Sequence, residues 1–236
     1  MIQGNRVLAV IPARGGSKSI PRKNITPLAG KPLLSWTVEV AKQVGEIDRI
    51  IVSTDDDEIG RVAGESGAEV YSRPSRLAAD DALVIDTLRY LIEALRNEGE
   101  SADIVMLLEP TSPLRSADDI RQCLALLQDS AIDSVATFKE AELNPCRAWR
   151  IENGQPDVFI PGVNPWLPRQ KLPRAYQLNG AVYAFRADRL TADVPGILFG
   201  NSAAVIMPAE RSVDIDDELD LEIVEAIIKK NENRRQ

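Results

Sequence analysis

Histidine is absent from the 236-residue chain, and cysteine occurs only twice, at Cys123 and Cys146. Without histidine, the chain cannot form histidine-ligated metal sites, Ser-His-Asp triads or Cys-His nucleophile pairs. Two widely separated cysteines do not make a disulfide framework, so we expect free thiols in a reducing compartment. Any chemistry must therefore use carboxylates, lysine, arginine, backbone amides or a bound metal.

Long apolar runs are also missing. No apolar stretch approaches the length that crosses a membrane, and no secretory leader pattern opens the chain. We therefore expect a cytoplasmic protein with no membrane partner. Acidic residues outnumber basic residues by 36 to 28, and a net charge of -8 repels a phosphate backbone over most of the surface. Nucleic acid is therefore not expected as a partner.

Short apolar runs rich in valine and isoleucine alternate with longer amphipathic stretches. This alternation predicts an α/β fold with a doubly wound, mostly parallel sheet, in one domain over residues 1–236. Ligands of such folds bind beyond the carboxyl ends of the strands. The predicted strands are 6–11, 49–53, 69–71, 104–108, 181–185 and 203–207. The predicted helices cover 83–95, a stretch that opens with a capping box at Ser116 and Asp119, and 218 to about 230.

Prolines interrupt the alternation between residues 138 and 178, where six of them prevent a regular helix. We interpret this segment as an inserted arm. It contains Trp149, Phe159 and Trp166, a large share of the few aromatic residues. Exposed aromatics on a small arm indicate burial against a partner subunit, and packing back onto their own domain is the open alternative.

A glycine-containing, cationic segment, ARGGSKSIPRKN, follows the first predicted strand. Gly15 and Gly16 allow a tight turn whose amides can converge on anionic oxygens. The segment matches neither the Walker A pattern nor GxGxxG. A solvated surface loop is the bland alternative, but its position and charge density favour a triphosphate ligand. The cations it supplies are Arg14, Lys18, Arg22 and Lys23.

An acidic segment, SVDIDDELDLE, stands near the end of the chain. Asp214 and Asp216 are two positions apart, so on an extended segment both carboxylates point to one side and can bind one hard cation. Magnesium is favoured because it retains waters and substrate phosphates in its shell. Helix capping is the structural alternative, which explains Asp217 but not Asp214.

These segments occur in an order that resembles the acylneuraminate cytidylyltransferases, also called CMP-sialic acid synthetases. The resemblance also covers IIVSTDDDEIGRVAGESGAEVYSRP, LLEPTSPLR, DSVATF and PRQKLPRAYQLNGAVYAF. It implies a Rossmann-like nucleotidyltransferase whose arm, 138–178, builds a homodimer and reaches toward the neighbour's active site. The implied substrates are CTP and a nine-carbon acidic sugar, with Mg²⁺ as cofactor. CMP would pass to the sugar's anomeric hydroxyl as pyrophosphate leaves.

Several positions acquire expected roles from this resemblance. The implied catalytic residues are Arg14, Lys23, Asp214 and Asp216, of which the two aspartates are the metal ligands. The implied nucleotide-binding residues are Ala13, Arg14, Gly15, Ser17, Lys18, Lys23, Asn24 and Arg73. The implied sugar-binding residues are Glu109, Thr111, Ser112, Arg147, Arg169 and Asn179.

Two departures from the family pattern leave the sugar open between N-acetylneuraminate and a relative such as legionaminate: Glu109, and the pair Gln177 and Leu178 where arginine and proline are frequent. Glu109 stands where the family commonly has glutamine, and an ionised glutamate accepts hydrogen bonds but cannot donate them. Pairing of Glu109 with Arg115 is the structural alternative. Three other activities also stay open: a CMP-Kdo synthetase, a nucleotide-sugar glycosyltransferase and a non-catalytic nucleotide-sugar sensor.

Overall fold

The structure is a computed structural model that describes Ile2 and residues 4–233. Its strands are β1 (Val7–Pro12), β2 (Pro27–Leu28), β3 (Lys31–Pro32), β4 (Arg49–Thr54), β5 (Glu69–Ser72), β6 (Ile104–Leu107), β7 (Ser134–Glu140), β8 (Trp149–Glu152), β9 (Gln155–Val158), β10 (Tyr176–Arg186) and β11 (Ser202–Ile206). Its α-helices are α1 (Leu33–Lys42), α2 (Asp57–Glu65), α3 (Val84–Asn97), α4 (Ala117–Leu126) and α5 (Glu218–Asn233). No helix in this described part is both long and apolar enough to cross a membrane.

Within the described residues, seven strands form one sheet in the order β11, β7, β10, β6, β1, β4, β5. β1 is parallel to β4 and β6, β4 is parallel to β5, and β11 is parallel to β7. β10 runs antiparallel to both of its neighbours, β6 and β7. The sheet is therefore mostly parallel, as predicted.

Alternate residues of the central strands face opposite layers of helices, because successive side chains of a strand point to opposite faces. On one face, Val7, Ala9 and Ile11 of β1 are in one core cluster with residues of α1, α2 and α4. On the other face, Leu8 and Val10 cluster with residues of α3. Helices therefore cover both faces, and the doubly wound class is confirmed. Two-sided burial also explains why these strands read as continuous apolar runs.

Capping side chains define where two helices begin. Asp56 accepts hydrogen bonds from the backbone N–H groups of Glu58 and Ile59 in the first turn of α2. Ser116 and Asp119 bond to each other's backbone N–H at the start of α4, so the predicted capping box is confirmed. Loss of such a cap typically costs about 1 kcal/mol of stability.

The excursion that corresponds to the predicted arm is shorter than 138–178. Phe138 lies in β7 and Leu178 lies in β10, and these two residues are directly paired. The excursion between the paired strands therefore spans 141–175 and contains the small β8–β9 hairpin. The ends of the other predicted strands shift by at most one residue, while β10 starts five residues before the predicted Ala181.

The aromatic residues of the excursion are largely exposed in the single chain. The rings of Trp149 and Trp166 are 6.0 Å apart between centroids, so they contact each other. Trp166 is nevertheless 82% exposed and Phe159 is 63% exposed. Packing onto their own domain therefore leaves most of these two side chains uncovered.

The last helix brings the acidic segment to the carboxyl edge of the sheet. Val224 and Ile228 of α5 pack in one cluster with Ile215, Leu28 and Leu33. The backbone N–H of Ile215 also donates to the carbonyl oxygen of Thr111, 2.8 Å away, in the loop that follows β6. Residues 213–217 are thereby fixed beside the loops that follow β1 and β6.

Candidate active site

A cleft of about 530 Å³ opens at this edge of the sheet. It lies beyond the ends of β1, β5 and β6, where a parallel α/β sheet places its ligands. The sequence-predicted residues that line it are Arg14, Ser17, Lys18, Lys23, Asn24, Arg73, Glu109, Thr111, Asp214 and Asp216. The fold thus brings most of the predicted nucleotide residues and both predicted metal ligands to one cavity.

Ala13 and Gly15 pack the loop after β1 against the end of β4 and the residues that follow it. Ala13 is fully buried, and its N–H donates to the carbonyl oxygen of Ser53 at 3.0 Å. A Cβ on Gly15 would lie 2.8 Å from Oδ2 of Asp56, so a larger residue there would require Asp56 to move. Close packing against the next loop is therefore the reason for this glycine.

Asn24 and Arg22 hold the same loop in shape. Asn24 is buried, and its side-chain amide donates to the carbonyl oxygen of Arg14 at 3.0 Å. Arg22 pairs with Asp56 at 2.8 Å and with Glu58 at 2.5 Å. Arg22 does not line the cleft in the described structure, and it was not among the residues implied to bind the nucleotide.

Lys23 joins the first and last motifs of the chain. Its side chain is only 13% exposed, and Nζ donates to the carbonyl oxygen of Ile215 at 2.7 Å. The same Nζ is 3.9 Å from Oδ1 of Asp216. This cation is therefore anchored between the cationic loop and the acidic segment.

The acidic segment is a loop, so the strand-like geometry expected for it is absent between residues 213 and 217. Oδ1 of Asp214 is 3.4 Å from the hydroxyl of Ser112, whose single proton has a nearer acceptor in the carbonyl oxygen of Asn179 at 3.1 Å. Asp217 and Asp220 cap α5 reciprocally, because each side chain accepts the other's backbone N–H. Capping therefore accounts for Asp217, as expected. Helix capping does not account for Asp214 and Asp216, which line the cleft.

Glu109 stands at the meeting point of three cavities. It lines the cleft of 530 Å³, a polar cavity beside Asp214 and Asp216, and an apolar cavity of about 420 Å³. Burial raises the pKa of Glu109 to about 7, and the charge of Asp214 adds to this increase. A Glu109 carboxyl with this pKa is partly protonated near neutral pH, so it can donate as well as accept a hydrogen bond.

Arg115 interacts with Glu109 through the backbone. Its guanidinium donates to the carbonyl oxygen of Glu109 and, at 2.8 Å, to the hydroxyl of Thr37. The charge of Arg115 lowers the pKa of Glu109, but burial and Asp214 outweigh it. Glu109 and Arg115 therefore interact electrostatically, but the side chain of Glu109 still lines the cavities.

Asp216 and Arg73 also line the cleft, and both have shifted pKa values. Partial desolvation raises the pKa of Asp216, and the neighbouring Asp214 raises it further. Burial lowers the pKa of Arg73, and Asp55 partly offsets this effect. The Nε of Arg73 has no hydrogen-bond partner among the described residues. This Nε atom is itself buried, so a ligand in the cleft would have to contact the terminal nitrogens of the Arg73 guanidinium.

The structure separates the predicted sugar residues into two groups. Asn179 is buried, and both ends of its side-chain amide are used, since it accepts from Thr137 and donates to Ser212. Ser112 is also fully buried, and its hydroxyl bonds the carbonyl oxygen of Asn179. Gly180 follows in left-handed conformation at the bulge of β10. The side-chain polar groups of Ser112 and Asn179 are thus bonded within the protein, which leaves none free for a sugar.

Arg147 and Arg169 lie elsewhere, in a separate cavity of about 540 Å³ in the arm. Arg147 donates to the carbonyl oxygen of Leu167 at 2.8 Å, and Arg169 pairs with Glu140 at 2.8 Å. Neither lines the cleft that contains Asp214.

Two further residues of the cleft region were not singled out from the sequence. Tyr183 lines the apolar cavity beside Glu109, and burial raises its pKa to about 12. Its place at the end of the NGAVY segment was the available signal. Asp80 lines the nucleotide cleft and pairs with both Arg14 and Lys18.

Together, the parallel sheet, the cationic loop and the acidic loop define a nucleotide-binding α/β protein. Residues 8–198 match the family model described as Cytidylyltransferase. A CMP-N,N'-diacetyllegionaminic acid synthase of Legionella pneumophila is 32% identical over 96% of this chain and 98% of that protein. The chain therefore belongs to the cytidylyltransferase family.

Two further similarities complete the comparison. An N-acylneuraminate cytidylyltransferase of Escherichia coli is 30% identical over 98% of this chain, which spans 54% of that protein. The predicted family resemblance is thus confirmed. A solved structure of a CMP-2-keto-3-deoxy-manno-octonic acid synthetase complexed with CTP superposes with a TM-score of 0.70 over 96% of this chain and 99% of that chain. At 23% identity, this last likeness shows the fold.

The substitution Glu109→Gln should make stability less dependent on pH. Below the usual pKa of 4.5, the carboxyl is protonated in both the folded and the unfolded state. Between 4.5 and about 7, only the unfolded state ionises, so wild-type stability falls as pH rises. In urea unfolding without divalent cations, the free energy of unfolding of the variant should rise relative to that of the wild type as the pH increases from 4.5 to about 7. The gain should level off above this pH range at about 3 kcal/mol.

The exposed Glu93→Gln is the matched control and should follow the wild type at every pH. A stability difference between Glu109→Gln and the wild type that is equal at pH 4 and pH 8 would contradict a buried, proton-retaining carboxyl.

Proposed function

We propose that the protein transfers CMP from CTP to the anomeric hydroxyl of a nonulosonic acid and releases pyrophosphate. The observation that carries this proposal is a single cleft with phosphate-suited cations on one wall and the two aspartates on another. Two of the relatives, by their names, make CMP-legionaminic acid or transfer a cytidylyl group to an acylneuraminate. N-acetylneuraminate and legionaminate are both members of the proposed substrate class.

The phosphate chain of CTP is assigned to Arg14, Lys18 and Lys23, with the loop backbone near Ser17. Both substrates are anions, so electrostatic repulsion is the main barrier, and phosphoryl transfer is accelerated chiefly by positioning and charge stabilisation. Lys23 is the best placed of these cations because its hydrogen bond to Ile215 keeps it beside the acidic loop. Arg73, which lines the same cleft, is assigned to the nucleotide.

Magnesium is the proposed cofactor, and the residues of the acidic loop fit it. Asp214 and Asp216 offer the hard oxygen ligands that Mg²⁺ prefers, and their mutual repulsion contributes to the raised pKa of Asp216. The described residues contain no group of three or more acidic, cysteine or histidine residues arranged to hold a metal. Two carboxylates suffice for Mg²⁺, because water and phosphate oxygens complete its shell. The ion would neutralise phosphate charge and polarise the α-phosphorus.

Glu109 is proposed to face the sugar and accept the proton of its anomeric hydroxyl. It lies between the nucleotide cleft and the apolar cavity, where the second substrate can reach the α-phosphorus of CTP. A pKa near 7 suits a general base at neutral pH. The hydroxyl oxygen would attack the α-phosphorus while the bond to the β-phosphate oxygen breaks in line.

The substitution Glu109→Gln should therefore lower kcat at least tenfold on every nonulosonic acid, since general-base catalysis is worth about 10²–10⁴. Rates on a panel of these sugars, with the dissociation constant of CTP measured separately, check this expectation. Near-normal turnover with a changed preference among sugars would instead identify Glu109 as a residue that selects the substrate.

The substitutions Asp214→Asn and Asp216→Asn should each reduce pyrophosphate release by a hundredfold or more while the protein stays folded. A lost charge contact to a reacting phosphate costs roughly 3 kcal/mol, which is about a hundredfold in rate. The measurement is the initial rate across a magnesium titration.

Asp217→Asn is the control, because asparagine also caps a helix and residue 217 faces α5 rather than the cleft. If both cleft variants kept wild-type turnover at every magnesium concentration, the metal assignment would be wrong.

A homodimer built through the arm is also proposed. The exposed Trp166 and Phe159 form an apolar surface that a second subunit would cover, and the remote arm arginines could then reach its cleft. Trp166→Glu should shift the protein to monomer in sedimentation velocity, because it places a charge in the contact. Leu219→Glu, at another exposed apolar site on α5, should leave the dimer intact. A dimer unaffected by Trp166→Glu would place the contact elsewhere.

The cytoplasm is the proposed compartment. Cys123 and Cys146 are both free, and CTP and magnesium are abundant there. The net charge of -8 supports the expectation that nucleic acid is not a partner. Cell fractionation with an activity assay tests the location.

A further inference from the structure

A carboxylate lies among the cations of the nucleotide cleft. Oδ1 of Asp80 is 3.0 Å from a terminal guanidinium nitrogen of Arg14, and Oδ2 is 2.5 Å from Nζ of Lys18. The same nitrogen of Arg14 also donates to the carbonyl oxygens of Ala78 and Ala79, at 3.4 and 3.1 Å. One short loop, between the turn Ser75–Leu77 and α3, thus satisfies both cations.

We propose that Asp80 is an internal competitor of the phosphate chain. Its carboxylate holds Arg14 and Lys18 while the cleft is free of nucleotide, and an incoming polyphosphate must displace it. The identity of that polyphosphate as CTP rests on the proposed function. The competition itself rests on the two ion pairs at the cleft wall.

The strength of these pairs is suited to reversible displacement. The side chains of Arg14, Lys18 and Asp80 are 35%, 79% and 50% exposed, so solvent screens the attraction. A hydrogen bond from Lys18 lowers the pKa of Asp80, which keeps the carboxylate ionised at neutral pH. A triphosphate carries several negative charges and can replace a single carboxylate, whereas a monovalent anion gains little by doing so.

The same competition would assist product release. Once the transfer is complete, pyrophosphate holds the cations with less help from the rest of the nucleotide. Asp80 is tethered beside them, so its effective concentration is high and independent of the solution. Return of the carboxylate to Arg14 and Lys18 therefore opposes rebinding of the product.

The opposite role for Asp80 makes the opposite prediction. If Asp80 mainly orders Arg14 and Lys18 for the ligand, its removal should weaken binding, because the free cations would lose their preorganised positions. If Asp80 competes, its removal should tighten binding. The sign of the change in affinity separates the two roles.

The test is isothermal titration of wild type, Asp80→Asn and Asp81→Asn with CTP and with inorganic tripolyphosphate, in magnesium-free buffer without sugar. Asp81 is the matched control, since it is the exposed neighbour in the same loop and does not line the cleft. Asp80→Asn should bind both ligands about three- to tenfold more tightly than Asp81→Asn, as expected for two exposed ion pairs. Asp81→Asn should stay within about twofold of wild type, a small long-range effect of charge.

Each other outcome has a defined meaning. Equal or weaker binding of CTP and tripolyphosphate by Asp80→Asn, compared with Asp81→Asn, overturns the competition, and so does a failure of all three proteins to bind tripolyphosphate. Tighter tripolyphosphate binding by Asp80→Asn, with no protein binding CTP, supports the competition and contradicts the proposed function. If wild type binds CTP and Asp80→Asn binds it no more tightly, the result supports the proposed function and contradicts the competition.

Discussion

The hydrogen bond from Lys23 to the carbonyl oxygen of Ile215 connects parts of the chain that are 192 residues apart, and the geometry of the site depends on it. It fixes the cationic loop against the acidic loop, so opposite charges face one cavity. The backbone bond from Ile215 to Thr111 attaches the same loop to the end of β6. Three loops from distant parts of the sequence thereby form one rigid edge.

This arrangement explains how a chain without histidine can handle phosphate chemistry. Transfer of a nucleotidyl group requires charge stabilisation more than proton transfer, and the fixed cations, together with the magnesium proposed for the two aspartates, would provide it. Where a proton must move, Glu109 offers a carboxyl group whose pKa burial has raised to about 7. Desolvation of a carboxylate thus takes the place that imidazole occupies in many enzymes.

Six of the seven strands of the sheet and most of the charged residues that line the cleft could be predicted from the sequence. Two-sided burial produces uninterrupted apolar strands such as β1, and loops at their carboxyl ends carry the ligands, so Arg14, Lys23, Asp214 and Asp216 could be predicted. β7 was missed because its last residues, Lys139 and Glu140, are charged and merge with the arm.

Side-chain roles that depend on tertiary contacts could not be predicted. Asn179 and Ser112 have the polar character of sugar ligands, but both are buried in one hydrogen-bond network, Asn179 at the bulge of β10 and Ser112 in the loop after β6. Arg22 has the charge of a phosphate ligand, yet the acidic start of α2 pairs with it. Asp80 reaches the loop cations only because its own loop folds over the cleft.

Phosphorus NMR of the purified protein with CTP, magnesium and a nonulosonic acid tests the central claim most directly. The account predicts that the CTP resonances are replaced by pyrophosphate and by one phosphodiester resonance of a CMP-sugar in equal amounts, and that this conversion requires both the sugar and magnesium. Hydrolysis of CTP to CMP without a sugar phosphodiester, or conversion that continues fully without magnesium, would contradict it.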